Sequence, residues 1–146
     1  MISIDKLRRF PIGKLFSYPH FNCDDSRILD KFWDSYPDKI GSVYYDVPLI
    51  DESLMPDTDI PAMVSDWRYL CALKIDLMIL TIRYLSIIEV KSVLDMKAIG
   101  QIVSYRAKFP LVYDYKKGIK SIIVCDFARP ELEAVCKILD IDVIFV

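Results

Sequence analysis

Residues 74–105, KIDLMILTIRYLSIIEVKSVLDMKAIGQIVSY, limit what this chain can fold into more than any other stretch. Two apolar runs of strand length, 75–81 and 85–90, are separated by a few residues, and a helix-like segment follows. Side chains of equal parity share one face of a strand, so Glu89 and Lys91 point the same way. If the runs form a hairpin with a two-residue loop at Ile82 and Arg83, Thr81 faces Tyr84 and Asp76 lies opposite Glu89. A four-residue loop over 81–84 keeps that register, whereas a loop at Arg83 and Tyr84 sets Asp76 opposite Lys91. All three put the two acids and the lysine on one face. A three-residue loop without a bulge would not, because a one-residue slip flips every side chain. The loop has no Gly or Asn to announce its turn type.

Two carboxylates and a lysine flanked by Ile, Leu and Val form an unusual strand face. Carboxylates this close repel unless a cation lies between them. Mg²⁺ is commonly held by one or two carboxylates together with waters and phosphate oxygens. A lysine beside such a pair is placed to orient water or to offset charge developing on a phosphate. These residue types point to phosphodiester hydrolysis.

With Asp76, Glu89-Val90-Lys91 and the helix-borne Gly100-Gln101 followed by Tyr105, the sequence resembles the PD-(D/E)xK nuclease superfamily. It is most similar to the nuclease domains of archaeal structure-specific DNA endonucleases, from about Trp67 onward. An isolated E-x-K is weak; the preceding Asp and the following GQ helix carry the likeness. The resemblance implies a restriction-endonuclease-like α/β fold and a DNA-cleaving activity dependent on Mg²⁺ or Mn²⁺. It implies Asp76, Glu89 and the Val90 carbonyl as metal ligands, with Lys91 and Gln101 catalytic. It further implies a homodimer, since many members cut as dimers. Members often carry a further Glu on the first helix; here the expected helix over 26–36 offers Asp30 and Asp34 as substitutes.

At 146 residues, 53% of them hydrophobic, the chain is expected to form a single domain with a real core. The N-terminal part, 1–66, reads as helical and extended, and 67–146 as the nuclease-like core. A net charge of −2 argues against coating nucleic acid by bulk electrostatics. Its distribution is uneven: residues 1–66 hold 12 acids and 7 bases, residues 67–146 hold 9 and 12. Four scattered cysteines argue against a zinc knuckle or an iron–sulfur cluster of ordinary spacing. Cys71, Cys125 and Cys136 sit among apolar neighbours as core residues would, and a reducing, cytoplasmic setting is the expectation. The apolar window 70–90 is broken by Lys74, Asp76 and Arg83, so no membrane span is expected. The one histidine, His20, excludes chemistry built on several histidines, and its SYPHFN surroundings carry no nucleophile motif.

Along the chain, Asp24, Asp25 and Ser26 are candidate caps for the first helix, whose Ile28, Leu29, Phe32 and Trp33 read as core. Residues 44–62, acid-rich with three prolines, read as a long extended connection with an edge strand at 43–47. Residues 67–73 read as a strand. Asp95 caps a helix to about Lys108, stopped by Pro110, with Ala98, Gln101, Ile102 and Tyr105 on one stripe. Mid-helix Gly100 suggests close helix–sheet approach. Gln101 and Tyr105 either hold phosphate or form a bonded pair over the sheet. Arg106, Lys108, Lys116, Lys117 and Lys120 form a basic cluster: phosphate contacts, with Arg106 and Lys108 nearest the motif, or a solvated face. A buried strand over 121–125 follows. Pro130 opens a last helix with inner stripe Leu132, Val135, Cys136 and Leu139, and 141–146 closes as a covered strand.

The expected order is an αβββαβ core plus a helix and a strand, a mixed sheet with helices on both faces. The leading expectation is a metal-dependent nuclease acting on DNA. The alternatives are an inactive nuclease-fold module binding nucleic acid or protein, and an unrelated α/β domain with a coincidental motif.

Overall fold

The computed structural model describes residues 1–37, 40–55, 57–70 and 72–146. Five strands form one mixed sheet in the order β1 (Ser42–Leu49), β2 (Leu73–Leu80), β3 (Tyr84–Val90), β5 (Gly118–Cys125) and β7 (Ile141–Phe145). The first three pair antiparallel and the last three parallel. Two short strands, β4 (Val93–Leu94) and β6 (Phe127–Ala128), pair parallel beyond the ends of β3 and β5. The α/β class and the flanking of a mixed sheet by helices agree with the sequence reading.

The hairpin register is the one that sets Thr81 against Tyr84. Leu80 pairs with Leu85 and Leu77 with Ile88, while the Thr81 N–H bonds the Tyr84 carbonyl at 3.0 Å. The Thr81 hydroxyl also donates to that carbonyl, at 3.0 Å, which closes the turn without Gly or Asn. This register excludes both the three-residue loop and the pairing of Asp76 with Lys91.

Helix α1 (Cys23–Ser35) covers one face. It starts upstream of the expected caps because the Asn22 side chain takes the Asp25 N–H, at 2.7 Å. Its stripe Ile28, Leu29, Phe32 and Trp33 is buried against Val43, Leu77, Ile88 and Val124. Helices α3 (Met96–Val112) and α4 (Pro130–Ile138) cover the other face, over Tyr44, Met78, Leu85, Ile87 and Ile123. Asp95 caps α3 by accepting the Ala98 N–H at 2.7 Å, and Ala98, Ile102 and Tyr105 are buried as expected.

Several expectations are corrected. Residues 44–49 belong to a full strand, β1, and Pro61–Leu70 is a helix, α2, so 67–70 is helical rather than extended. Cys71 and Pro56 lie outside the described residues. Pro110 lies inside the last turn of α3, which closes at Tyr113 through a bond from its N–H to the Phe109 carbonyl. Gly100 marks no close approach, since a Cβ there would meet nothing within 4 Å. Val135 is exposed, so the inner stripe of α4 is Leu132, Cys136 and Leu139. Strand β7 is an edge of the sheet rather than a covered strand. Among the described residues no helix is long and apolar enough to cross a membrane.

Candidate active site

The site is built where β2 and β3 stop behaving as ordinary strands. Strands β1 and β2 pair at Tyr45 with Leu77 and at Val47 with Ile75, and the step between, Asp46 against Asp76, carries no ladder pair. Asp46 has φ +51°, a left-handed conformation that Asp and Asn tolerate better than other non-glycine residues. The alternation of side chains reverses there. Val43 and Tyr45 pack on the α1 face, while Val47 and Leu49, of the same parity, pack on the α3 face. Ile75 and Leu77 divide between the faces in the same way. Freed from the regular ladder, the Asp76 carboxylate accepts the Val90 N–H at 2.9 Å. A short acidic side chain competing for a strand N–H is a familiar way to break a ladder. Asp76 is thereby fixed beside Glu89 and Lys91.

Glu89 follows Leu85 and Ile87 by parity onto the α3 face and is only 1% exposed. Lys91 Nζ lies 3.8 Å from Glu89 Oε1. Burial pushes the Glu89 carboxyl well above the carboxylate range, and the neighbouring Asp76 charge pushes it further. Lys91 and the Tyr105 hydroxyl pull the other way without restoring it. Burial raises Asp76 too, held in check by the Val90 N–H, by Glu89 and by Lys91. The two carboxyl groups adjoin, and their mutual influence favours Asp76 as the ionised member and Glu89 as the protonated one.

Helix α3 closes the site from above. Gln101 Nε2 donates to the Tyr105 hydroxyl at 3.1 Å, and that hydroxyl lies near enough to Glu89 to favour its ionised form. Burial and the two carboxylates hold the Tyr105 phenol above its ordinary range. Gln101 and Tyr105 are therefore a bonded pair over the sheet and also part of the acidic cluster. Two oxygen acceptors here are buried with no partner among the described residues: Glu89 Oε2 and Gln101 Oε1. A buried acceptor without a donor calls for an explanation.

A third acid was missed. Asp25, in the first turn of α1, is raised mainly by burial, and among its neighbours Lys91 lowers it. It in turn raises Asp76. The proposed substitutes Asp30 and Asp34 lie elsewhere: Asp30 accepts from the Tyr18 hydroxyl at 2.6 Å, and Asp34 pairs with Lys14 at 2.8 Å. The only hint in the sequence was an Asn three residues before Asp25, which sets where the helix begins and hence which acid faces the sheet.

The basic cluster does not assemble. Arg106 donates to the Leu139 carbonyl at 2.9 Å and the Asp140 carbonyl at 3.3 Å, closing the C-terminal end of α4. Lys108 is half-buried, and its charge reaches Asp51, which is held down chiefly by Ser53. Lys117 reaches the Ile82 carbonyl at 3.4 Å and Lys120 sits 3.8 Å over the Tyr84 ring. Both lie at the hairpin end of the sheet, away from Glu89.

Among the described residues no group of three or more His, Cys, Asp or Glu side chains is arranged to hold a metal ion alone. The all-oxygen donor set nonetheless fits a hard cation, with two adjoining carboxyl groups and two unpartnered buried acceptors. Comparisons with protein families, curated proteins and solved structures give no match for this chain.

Proposed function

We propose that the chain is a metal-dependent deoxyribonuclease of the restriction-endonuclease-like fold, cutting internally and acting as a homodimer. The observation that supports this best is the buried, adjoining Asp76–Glu89 pair beside Lys91, with Glu89 Oε2 unpartnered among the described residues. Asp76, Glu89 and the Val90 carbonyl would hold Mg²⁺ or Mn²⁺, with Asp25 near enough in charge to add to the attraction. The cation supplies Lewis-acid stabilisation of charge building on a phosphate and activates water.

The protein's own groups do the rest. Lys91, already drawn to Glu89, donates to an attacking water or to a non-bridging phosphate oxygen. Gln101 presents Oε1 to a water and keeps Tyr105 aimed at Glu89. Tyr105 steadies the anionic form of Glu89, which the function requires. Arg106 is committed to α4, so phosphate contacts fall to Lys91 and Gln101 rather than to Arg106.

A second reading, a nucleic-acid-binding or protein-interaction module without catalysis, is favoured by the raised acids and by the lack of a three-acid cluster among the described residues. The test incubates the purified protein with labelled linear, branched and single-stranded DNA in Mg²⁺, Mn²⁺ or EDTA, beside Glu89→Gln and Lys91→Ala. Metal-dependent cutting lost in both variants is expected. No cutting, with no rise in melting temperature on adding Mn²⁺, would support the module instead.

A further inference from the structure

The face of the sheet opposite Glu89 carries a second feature that the proposed nuclease does not use. Five strands present that face, and α1 covers it mainly over β3 and β5. Beyond the last turn of α1 lies a cavity of about 340 Å³, at the small end of the range for small-molecule sites. Phe32 and Tyr36 form its wall, and Ile79, Ile88 and Ile122 its apolar floor.

The strand register fixes how its polar groups are arranged. Ser86 pairs with Ile79 on one side and Lys120 on the other, so these three make one row. Ile88, Ile122 and Asp142 make the next. Ser86 is 5% exposed and lines the cavity, so it adds a hydroxyl to an otherwise apolar floor. Lys120 and Asp142 stand at the rim without pairing to each other; Lys120 lies over Tyr84, another lining residue.

From this arrangement we infer that the cavity binds a nucleotide bearing an exocyclic amine. Its base lies between the isoleucine floor and the aromatic wall, the Ser86 hydroxyl donates to a ring nitrogen, Asp142 accepts from the amine and Lys120 meets the phosphate. Spacing decides against an amino acid. Lys120 and Asp142 are one strand and two residues apart, roughly 8 Å between their backbones, whereas a zwitterion places both charges at one end. The site lies on the other face from Glu89, so it stands or falls independently of the nuclease reading. A free nucleotide and one within a strand share the recognised chemistry.

The test is methyl NMR of the isoleucines, titrated with adenosine monophosphate, inosine monophosphate, adenosine, phenylalanine and a short oligo-adenylate. Saturable shifts confined to Ile79, Ile88, Ile122 and Ile144, the last a further lining residue on β7, are expected with adenosine monophosphate. Inosine monophosphate, without the amine, and adenosine, without the phosphate, should each bind at least threefold more weakly. Comparison with the oligo-adenylate tells whether the natural source is free or strand-borne. Ser86→Leu, which fills the cavity, should abolish the shifts; the exposed Lys120→Gln should weaken binding severalfold without disturbing the fold. No saturable shift at millimolar ligand, phenylalanine binding tightest, or unchanged affinity in Lys120→Gln would overturn the inference.

Discussion

Glu89 is the residue on which the chemistry turns, and its burial makes a signed prediction. Its carboxyl is raised above its ordinary 4.5, so over the window above that value the folded protein holds more protons than the unfolded chain. Stability without metal should therefore fall as pH rises from about 4.5 toward the raised value, the reverse of the usual salt-bridged carboxylate. Glu89→Gln removes the ionisation and should flatten that fall, raising stability near pH 8 by on the order of 1–3 kcal/mol while changing little at pH 4.5. Added Mn²⁺ should raise the wild-type melting temperature more at pH 8 than at pH 5, and the variant's hardly at all. Melting curves at both pH values with and without Mn²⁺ measure all of this. A variant less stable than wild type at pH 8 would show that Glu89 is ionised and paired rather than strained. The grouping of Glu89 and Lys91 was legible from strand parity, and Asp76 joined them under every hairpin loop considered except the three-residue one. Asp25 was not, because its nearness depends on how α1 lies across the sheet, which no local pattern specifies.

At the scale of elements, the break at Asp46 and Asp76 organises the hairpin around the site. A left-handed residue in a strand penalises β-branched side chains most. Asp46→Val, which strand propensity alone would favour, should lower stability by about 2 kcal/mol, whereas Asp46→Gly should stay within about 1 kcal/mol of wild type. Urea denaturation midpoints distinguish the two, and a neutral Val would mean that β1 runs straight through. Gly100 makes the complementary case. With open space around its Cβ position, Gly100→Ala should stabilise α3 by about 0.5–1 kcal/mol, where the expected close packing would have made it destabilising. The hairpin and the Asp95 cap were readable because periodicity and capping are local, whereas the register stayed open between two pairings because the turn carries no Gly or Asn. The length of β1, helix α2 and the edge position of β7 were not, since pairing partners and the sheet's order are set by the whole fold.

For the molecule as a whole, the question is where a duplex could lie. The sequence placed Lys116, Lys117 and Lys120 with Arg106 and Lys108 in one basic cluster, but one-dimensional nearness does not survive a helix and a strand running in opposite directions. Lys117 and Lys120 sit at the turn end of β3 and Glu89 near its other end, five residues from Tyr84 and so roughly 16 Å away along the strand. That is the length of about five base pairs, given one phosphate per 3.4 Å on each strand. A substrate engaging only the site end would never meet these lysines. Reversing Lys116 and Lys117 to Glu together should therefore change the cutting of a short duplex less than twofold, while Lys91→Ala abolishes it. The same double variant should leave the salt dependence of binding unaltered, since removing one lysine–phosphate pairing lowers the log–log slope by about 0.9. If cutting instead falls tenfold and the slope drops by nearly two, the duplex runs down the length of the sheet, and the hairpin end is part of the DNA surface.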